Sequence, residues 1–173
     1  MKVMVIYFSQ TGNTEKIASA IYEEVSMSNE TVINKLDDVD PDSLNGYDQV
    51  FFGSPIHAGT IAKEIQDFLK KLPRLPGMRL AGFITHAATA YPQQALDQIT
   101  QPFVEICRDK DMEYLGCFNC QGYLADFMHE AVQKMQDSSD EEWQEKVKRM
   151  TGHPNTGDEA DAKAFARTSL LSK

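Results

Sequence analysis

Ser9-Gln10-Thr11-Gly12-Asn13-Thr14 gathers hydroxyl and amide donors into six consecutive residues around one glycine. The run opens onto Ile17, Ala18, Ile21, Tyr22 and Val25, which have the spacing of a single helical face. The first N–H groups of a helix lack intrahelical partners and sit at the positive end of its dipole, so a turn placed there is suited to an anion. A nucleoside-triphosphate loop would read G-x-x-x-x-G-K-[ST], and a dinucleotide fingerprint needs three glycines at G-x-G-x-x-G. Neither pattern is present, and the turn holds no Lys or Arg. These residues therefore point to one terminal phosphate held by hydrogen bonds alone.

The elements that must position this turn follow a regular rhythm. The apolar run Val3–Phe8 before it has the length and composition of a buried parallel strand. Further strands are predicted at Thr31–Leu36, Tyr47–Ser54, Leu80–Thr85 and Tyr114–Cys120. Helical faces lie between them, at Ile61, Ile65, Phe68, Leu69 and Leu72, and at Leu96, Ile99, Phe103 and Ile106 behind Pro92. Pro102 falls inside the second of these, where a kink or frayed turn is expected. A last helix carries Ala162, Phe165, Ala166 and Leu170 and is opened by Thr156-x-x-Glu159, read as a capping box. The alternation predicts an α/β fold, a doubly wound five-stranded parallel sheet with helices on both faces. One domain is expected over residues 1–173, with an excursion at 121–157 between the fifth strand and the last helix. Within the excursion, Ser139-x-x-Glu142 opens a short helix through Trp143, Val147 and Met150.

Ligands of such sheets bind beyond the carboxyl ends of the strands, where the strand order reverses. Three segments are expected to meet there: Ser9–Thr14, Ser54–Ala62 and His86–Pro92. The run Tyr7-Phe8-Ser9-Gln10-Thr11-Gly12-Asn13-Thr14-Glu15-Lys16-Ile17-Ala18 resembles the flavodoxin signature. The resemblance implies the strand order 2-1-3-4-5 and FMN as cofactor. It also implies that Ser9, Gln10, Thr11, Gly12, Asn13 and Thr14 hold its phosphate. Ser54, Pro55, Ile56, His57, Ala58 and Gly59 resemble the loop that covers one face of the flavin. His86, Ala87, Ala88, Thr89 and Tyr91 resemble the third loop, with Tyr91 stacking on the other face and the His86 backbone N–H at the pyrimidine edge. The Ala58–Gly59 peptide can turn over cheaply because of the glycine, offering its carbonyl to the one-electron-reduced flavin. Pro55–Thr60 and His86–Pro92 contain no Asp or Glu, and a charged His57 would act in the same direction. A potential less negative than in relatives with acidic rims follows.

Composition narrows the remaining classes. The net charge of −9 disfavours nucleic acid and anionic membrane surfaces and suits basic docking surfaces on protein partners. No apolar run approaches membrane-spanning length, so no membrane insertion is expected. Three cysteines make no disulfide framework and the chain enters a strand at once, which fits a cytoplasmic protein. Cys117-x-x-Cys120 falls on a strand, where residues three apart face opposite ways, so no metal site is read there. No grouping signals a covalent catalytic residue. The leading expectation is an FMN-containing electron carrier working between a reductase and an acceptor protein. The alternative is an FMN-dependent NAD(P)H:quinone-type oxidoreductase with residues 121–157 as a substrate wall.

Overall fold

A computed structural model describes residues 1–171; Ser172 and Lys173, included in the one-domain expectation, lie outside the described residues. The strands are β1 (Lys2–Tyr7), β2 (Glu30–Lys35), β3 (Gln49–His57), β4 (Thr60–Ile61), β5 (Arg79–His86) and β6 (Glu113–Gln121). The helices are α1 (Asn13–Ser26), α2 (Lys63–Lys71), α3 (Gln93–Lys110), α4 (His129–Met135), α5 (Asp140–Met150) and α6 (Thr156–Leu171). The long strands are parallel in the order β2-β1-β3-β5-β6, with β4 paired antiparallel to the end of β3. Counting long strands only, this is the expected order 2-1-3-4-5.

Two-residue alternation divides the core into two layers. Met4, Ile6, Val50, Phe52, Leu80 and Ile84 face Ile65, Phe68 and Leu69 of α2 and Ile99 and Phe103 of α3. Val3, Val5, Tyr7, Phe51, Ala81 and Phe83 face Ile17, Ala18 and Ile21 of α1 and Ala162 and Ala166 of α6. Small side chains let α6 lie close to α1, and Lys163–Glu23 (2.7 Å) and Arg167–Glu24 (2.8 Å) bridge the two helices at the surface.

Three local outcomes differ from the sequence reading. β3 continues three residues past Ser54 and returns through β4 as a tight hairpin, so the second segment is ordered by a ladder instead of forming an open loop. α3 continues from Gln93 to Lys110 with Pro102 inside it, so no frayed turn divides it there. The last helix is capped one residue earlier than expected. Asn155 Oδ1 accepts from the N–H groups of Gly157 (2.8 Å) and Asp158 (3.1 Å), while Asp158 accepts from the Asn155 N–H (2.6 Å). An Asn–Asp pair thus does what was assigned to Thr156 and Glu159, and Glu159 instead meets Lys16 at 3.1 Å. The Ser139–Glu142 capping box is present as expected.

Candidate functional site

The chain leaves β1 for α1 and β2 on one side of the sheet, whereas β3 pairs on the other, so the order reverses between β1 and β3. At the carboxyl end of that reversal the crevice is bounded by the turn after β1, the β3–β4 hairpin and the segment after β5. All three sequence-derived segments reach this end of the sheet. A broad depression of about 530 Å³, lined by Met1, Lys2, Asn29, Glu30 and Asp48, lies at the opposite end and brings none of these groups together.

The turn after β1 is shaped by its own donors. Gly12 adopts a left-handed conformation (φ 86°) as the residue preceding α1, and its N–H donates to Ser9 Oγ at 3.1 Å. Gln10, Thr11 and Gly12 are exposed. The Asn13 amide nitrogen donates to Thr11 Oγ1 (3.1 Å) and to the Tyr123 carbonyl (2.7 Å), so both amide hydrogens serve the frame of the turn. Thr14 is 1% exposed, with its hydroxyl 2.9 Å from that of Thr85 on β5. The Ser9 and Thr11 hydroxyls and the backbone N–H groups of Gln10, Thr11, Asn13 and Thr14 remain as donors for an anion, the Gly12 N–H being taken by Ser9. Beneath them the Tyr7 hydroxyl donates to Glu15 (2.8 Å); burial, reinforced by that carboxylate, pushes its pKa up to about 12.

The second segment is a two-residue hairpin. Ala58 (φ 49°) and Gly59 (φ 80°) are both left-handed, the mark of a type I′ turn, and both are exposed. Its base is pinned by Ser54, which is buried and whose hydroxyl accepts from the Ala62 N–H (2.8 Å) and donates to the Pro55 carbonyl (2.7 Å). Pro55 and Ile56 are half-buried, and half-buried His57 lies edge-on to Phe8 with centroids 6.4 Å apart. Among the described residues no carboxylate pairs with His57.

In the third segment Ala87 and Thr89 are exposed and Ala88 and Tyr91 half-buried. The Tyr91 ring meets His86 edge-on at 4.9 Å. Burial pushes the Tyr91 hydroxyl above its ordinary pKa. The His86 side chain, for which the sequence offered no task, is buried and hydrogen-bonded.

Other supporting residues escaped the sequence reading. A Cβ at Gly53 would lie 2.2 Å from the Phe83 ring and 3.0 Å from Thr14, so this glycine lets Thr14 settle under the turn. Glycine inside a strand pattern is the available signal for such close approach. A Cβ at Gly122 would meet the Asn13 side chain at 2.9 Å, and the Gly122 N–H donates to the His86 carbonyl (2.8 Å). The excursion thus begins by joining the first and third segments. Lys16 Nζ adds a bond to the Pro154 carbonyl at 2.6 Å. Trp143 and Met150 are buried outside the two main core layers, and Trp143 packs edge-on to His129 at 5.6 Å. Phe127, in contrast, is 85% exposed. Cys117 packs with one core layer and Cys120 with the other, as the strand parity required, and among the described residues no cluster could hold a metal ion.

A doubly wound sheet with a donor-lined turn at its switch point defines a class of phosphate-binding α/β proteins. Within that class, residues 4–167 match the flavodoxin domain family, and the chain belongs to it; the family binds FMN. The chain is 29% identical over 179 residues to a flavodoxin-like domain-containing protein, BilS, of Clostridioides difficile, covering 99% of this chain and 97% of that protein. Oxidised flavodoxin 1 of Bacillus cereus superimposes with a TM-score of 0.67 at 18% identity, covering 100% of this chain and 99% of that one. A flavoprotein of Lactobacillus acidophilus, solved in complex with FMN, superimposes with a TM-score of 0.54 at 20% identity, over 68% of this chain and 92% of that one. At these identities the two structures speak for the fold.

Proposed function

We propose that this chain is an FMN-dependent electron carrier that exchanges electrons with redox protein partners. The observation that carries the reading is the uncharged turn Ser9–Asn13, preformed at the amino end of α1 and open to solvent at Gln10, Thr11 and Gly12. In this reading Ser9, Thr11 and the backbone N–H groups of Gln10, Thr11, Asn13 and Thr14 hold the phosphate, while the Gly12 N–H and the side chains of Asn13 and Thr14 keep the turn in shape. Ser54–Gly59 and His86–Tyr91 flank the ring, with Tyr91 as the stacking aromatic. The donor set fits a phosphate monoester, and the bound cofactor supplies reversible one- and two-electron chemistry.

The surroundings support a carrier. The excursion's hydrogen bonds to the site reach Asn13, Lys16 and the His86 carbonyl; among the described residues none reaches the 55–60 hairpin. It ties the phosphate turn to the base of the third segment and leaves the exposed hairpin tip at Ala58 and Gly59 free to meet a partner, which favours a carrier over an NAD(P)H:quinone oxidoreductase with a substrate wall. The net charge of −9 would steer partners with basic docking surfaces into brief contacts, weakened by added salt. Among the described residues no helix is long and apolar enough to cross a membrane, and a cytoplasmic site of action is part of the proposal.

The test has two stages. Apoprotein titrated with FMN should quench the flavin fluorescence at one equivalent, and riboflavin should bind more weakly. The loaded protein should then be reduced quickly through a flavoprotein reductase and slowly by NADH or NADPH alone. Fast reduction by the nucleotide alone would replace the carrier with the enzyme.

A further inference from the structure

His86 ends β5 directly below the third segment and is 6% exposed. Its Nδ1 lies 2.9 Å from the Ala88 carbonyl two residues on, and its Nε2 lies 3.2 Å from Asn119 Oδ1 of β6. Its ring meets Tyr91 edge-on, with centroids 4.9 Å apart and planes at 86°. Both hydrogen-bond partners are carbonyl oxygens, which only accept. The Ala88 carbonyl is fixed main chain, so Nδ1 carries the hydrogen that reaches it, whereas the Asn119 amide can turn over to present its nitrogen to a neutral Nε2. The segment it grips has little else to order it. Ala87, Ala88, Thr89 and Ala90 have short side chains, three of them exposed, and among the described residues no other hydrogen bond reaches residues 87–91. A segment so weakly tied loses conformational freedom when a ligand orders it, and that cost lowers affinity unless it is met beforehand.

We infer that His86 is a positioning residue for the flavin: through Nδ1–H to the Ala88 carbonyl and its edge against Tyr91, it holds the ring-facing segment formed before the cofactor arrives. The inference rests on the reading of residues 86–91 as the ring-facing loop. It gives a buried side chain a role distinct from the His86 backbone N–H, and it separates two contributions to affinity: the Ser9–Asn13 turn acts on the phosphate, and His86 acts on the ring.

Two isosteric variants divide the two bonds of the imidazole. His86→Asn places an amide nitrogen near the position of Nδ1 and keeps the Ala88 bond; His86→Gln places one near Nε2 and keeps only the Asn119 side. Dissociation constants for FMN and riboflavin are measured by fluorescence titration on apoproteins whose folding is checked by circular dichroism. His86→Asn should stay within about twofold of the parent, whereas His86→Gln should lose roughly five- to tenfold, the worth of one hydrogen bond. The loss should be equal for FMN and riboflavin because it arises at the ring. Asn119→Leu, which removes only the Nε2 contact, should stay within about twofold and serves if a His86 variant does not fold. A His86→Gln protein that binds as well as His86→Asn, a loss confined to FMN, or an Asn119→Leu loss as large as that expected of His86→Gln would overturn the inference. A parent protein that binds neither flavin would instead overturn the cofactor reading, and this inference with it.

Discussion

Single side chains show how donor chemistry and donor placement separate. The residue types in Ser9–Thr14 read as an anion turn because they crowd more donors onto a helix start than the capping of that helix needs. Which of their side chains are engaged within the fold was not legible, because that depends on partners far along the chain. Asn13 is turned away by a carbonyl 110 residues later, and Thr14 is drawn under the turn by Thr85. The hairpin tip shows the same division: its glycine was readable, but the left-handed Ala58 beside it was not. Gly59→Ala would place two consecutive side chains at positive φ, so it should cost about 1 kcal/mol in urea denaturation and narrow the separation between the two one-electron potentials of the loaded protein. At the other end of β3, Gln49 is fully buried and neither atom of its amide has a hydrogen-bond partner. Gln49→Met keeps the shape and removes that desolvated amide, so the protein should gain about 1–2 kcal/mol, measured the same way.

Elements were recovered where periodicity is strong and missed where it is short. All five long strands and the helices facing them appear at the expected places, since two- and 3.6-residue patterns report burial directly. The β3–β4 hairpin was missed because Ser54-Pro55-Ile56-His57 reads as a loop, and only pairing of Ile56 with Ile61 extends the strand. α4, of seven residues, has no side-chain cap to announce it. The cap of α6 was displaced by one residue because Asn155 and Asp158 formed the pair expected of Thr156 and Glu159. The start of the excursion has the clearest functional consequence. Gly122→Ala would push a methyl group into the Asn13 amide, loosen its bond to Tyr123 and disturb the phosphate turn. FMN affinity should fall several-fold with riboflavin affinity nearly unchanged, in contrast to the equal loss of both flavins expected for His86→Gln. Parallel titrations of the two flavins would show it.

The molecule as a whole carries an alkaline liability from its buried acids. Burial raises Cys107 and Cys120 from 9.0 to about 12, and burial with the Glu15 hydrogen bond raises Tyr7 from 10.0 to about 12. A raised folded pKa means that these groups favour the native state fully below their unfolded values, and that the advantage is lost as pH climbs through those values toward 12. Each of the two thiols should therefore withdraw about 1 kcal/mol of stability between pH 9 and pH 10. Urea midpoints at pH 8, 9 and 10 would reveal the decline, and native protein at pH 8 should react with a thiol reagent far more slowly at Cys107 and Cys120 than unfolded protein does.

What the linear chain determined was the kind of protein: strand and helix periods, and a neutral donor turn at the first helix, are local properties carried by neighbouring residues. Tertiary structure alone decided the division of labour within the site. Whether Asn13 faces outward, whether Ser54 pins a hairpin and whether His86 grips Ala88 each depend on groups brought together by folding. A hydrogen bond is directional and short-ranged, so its partner cannot be read from a sequence that specifies only which donors exist.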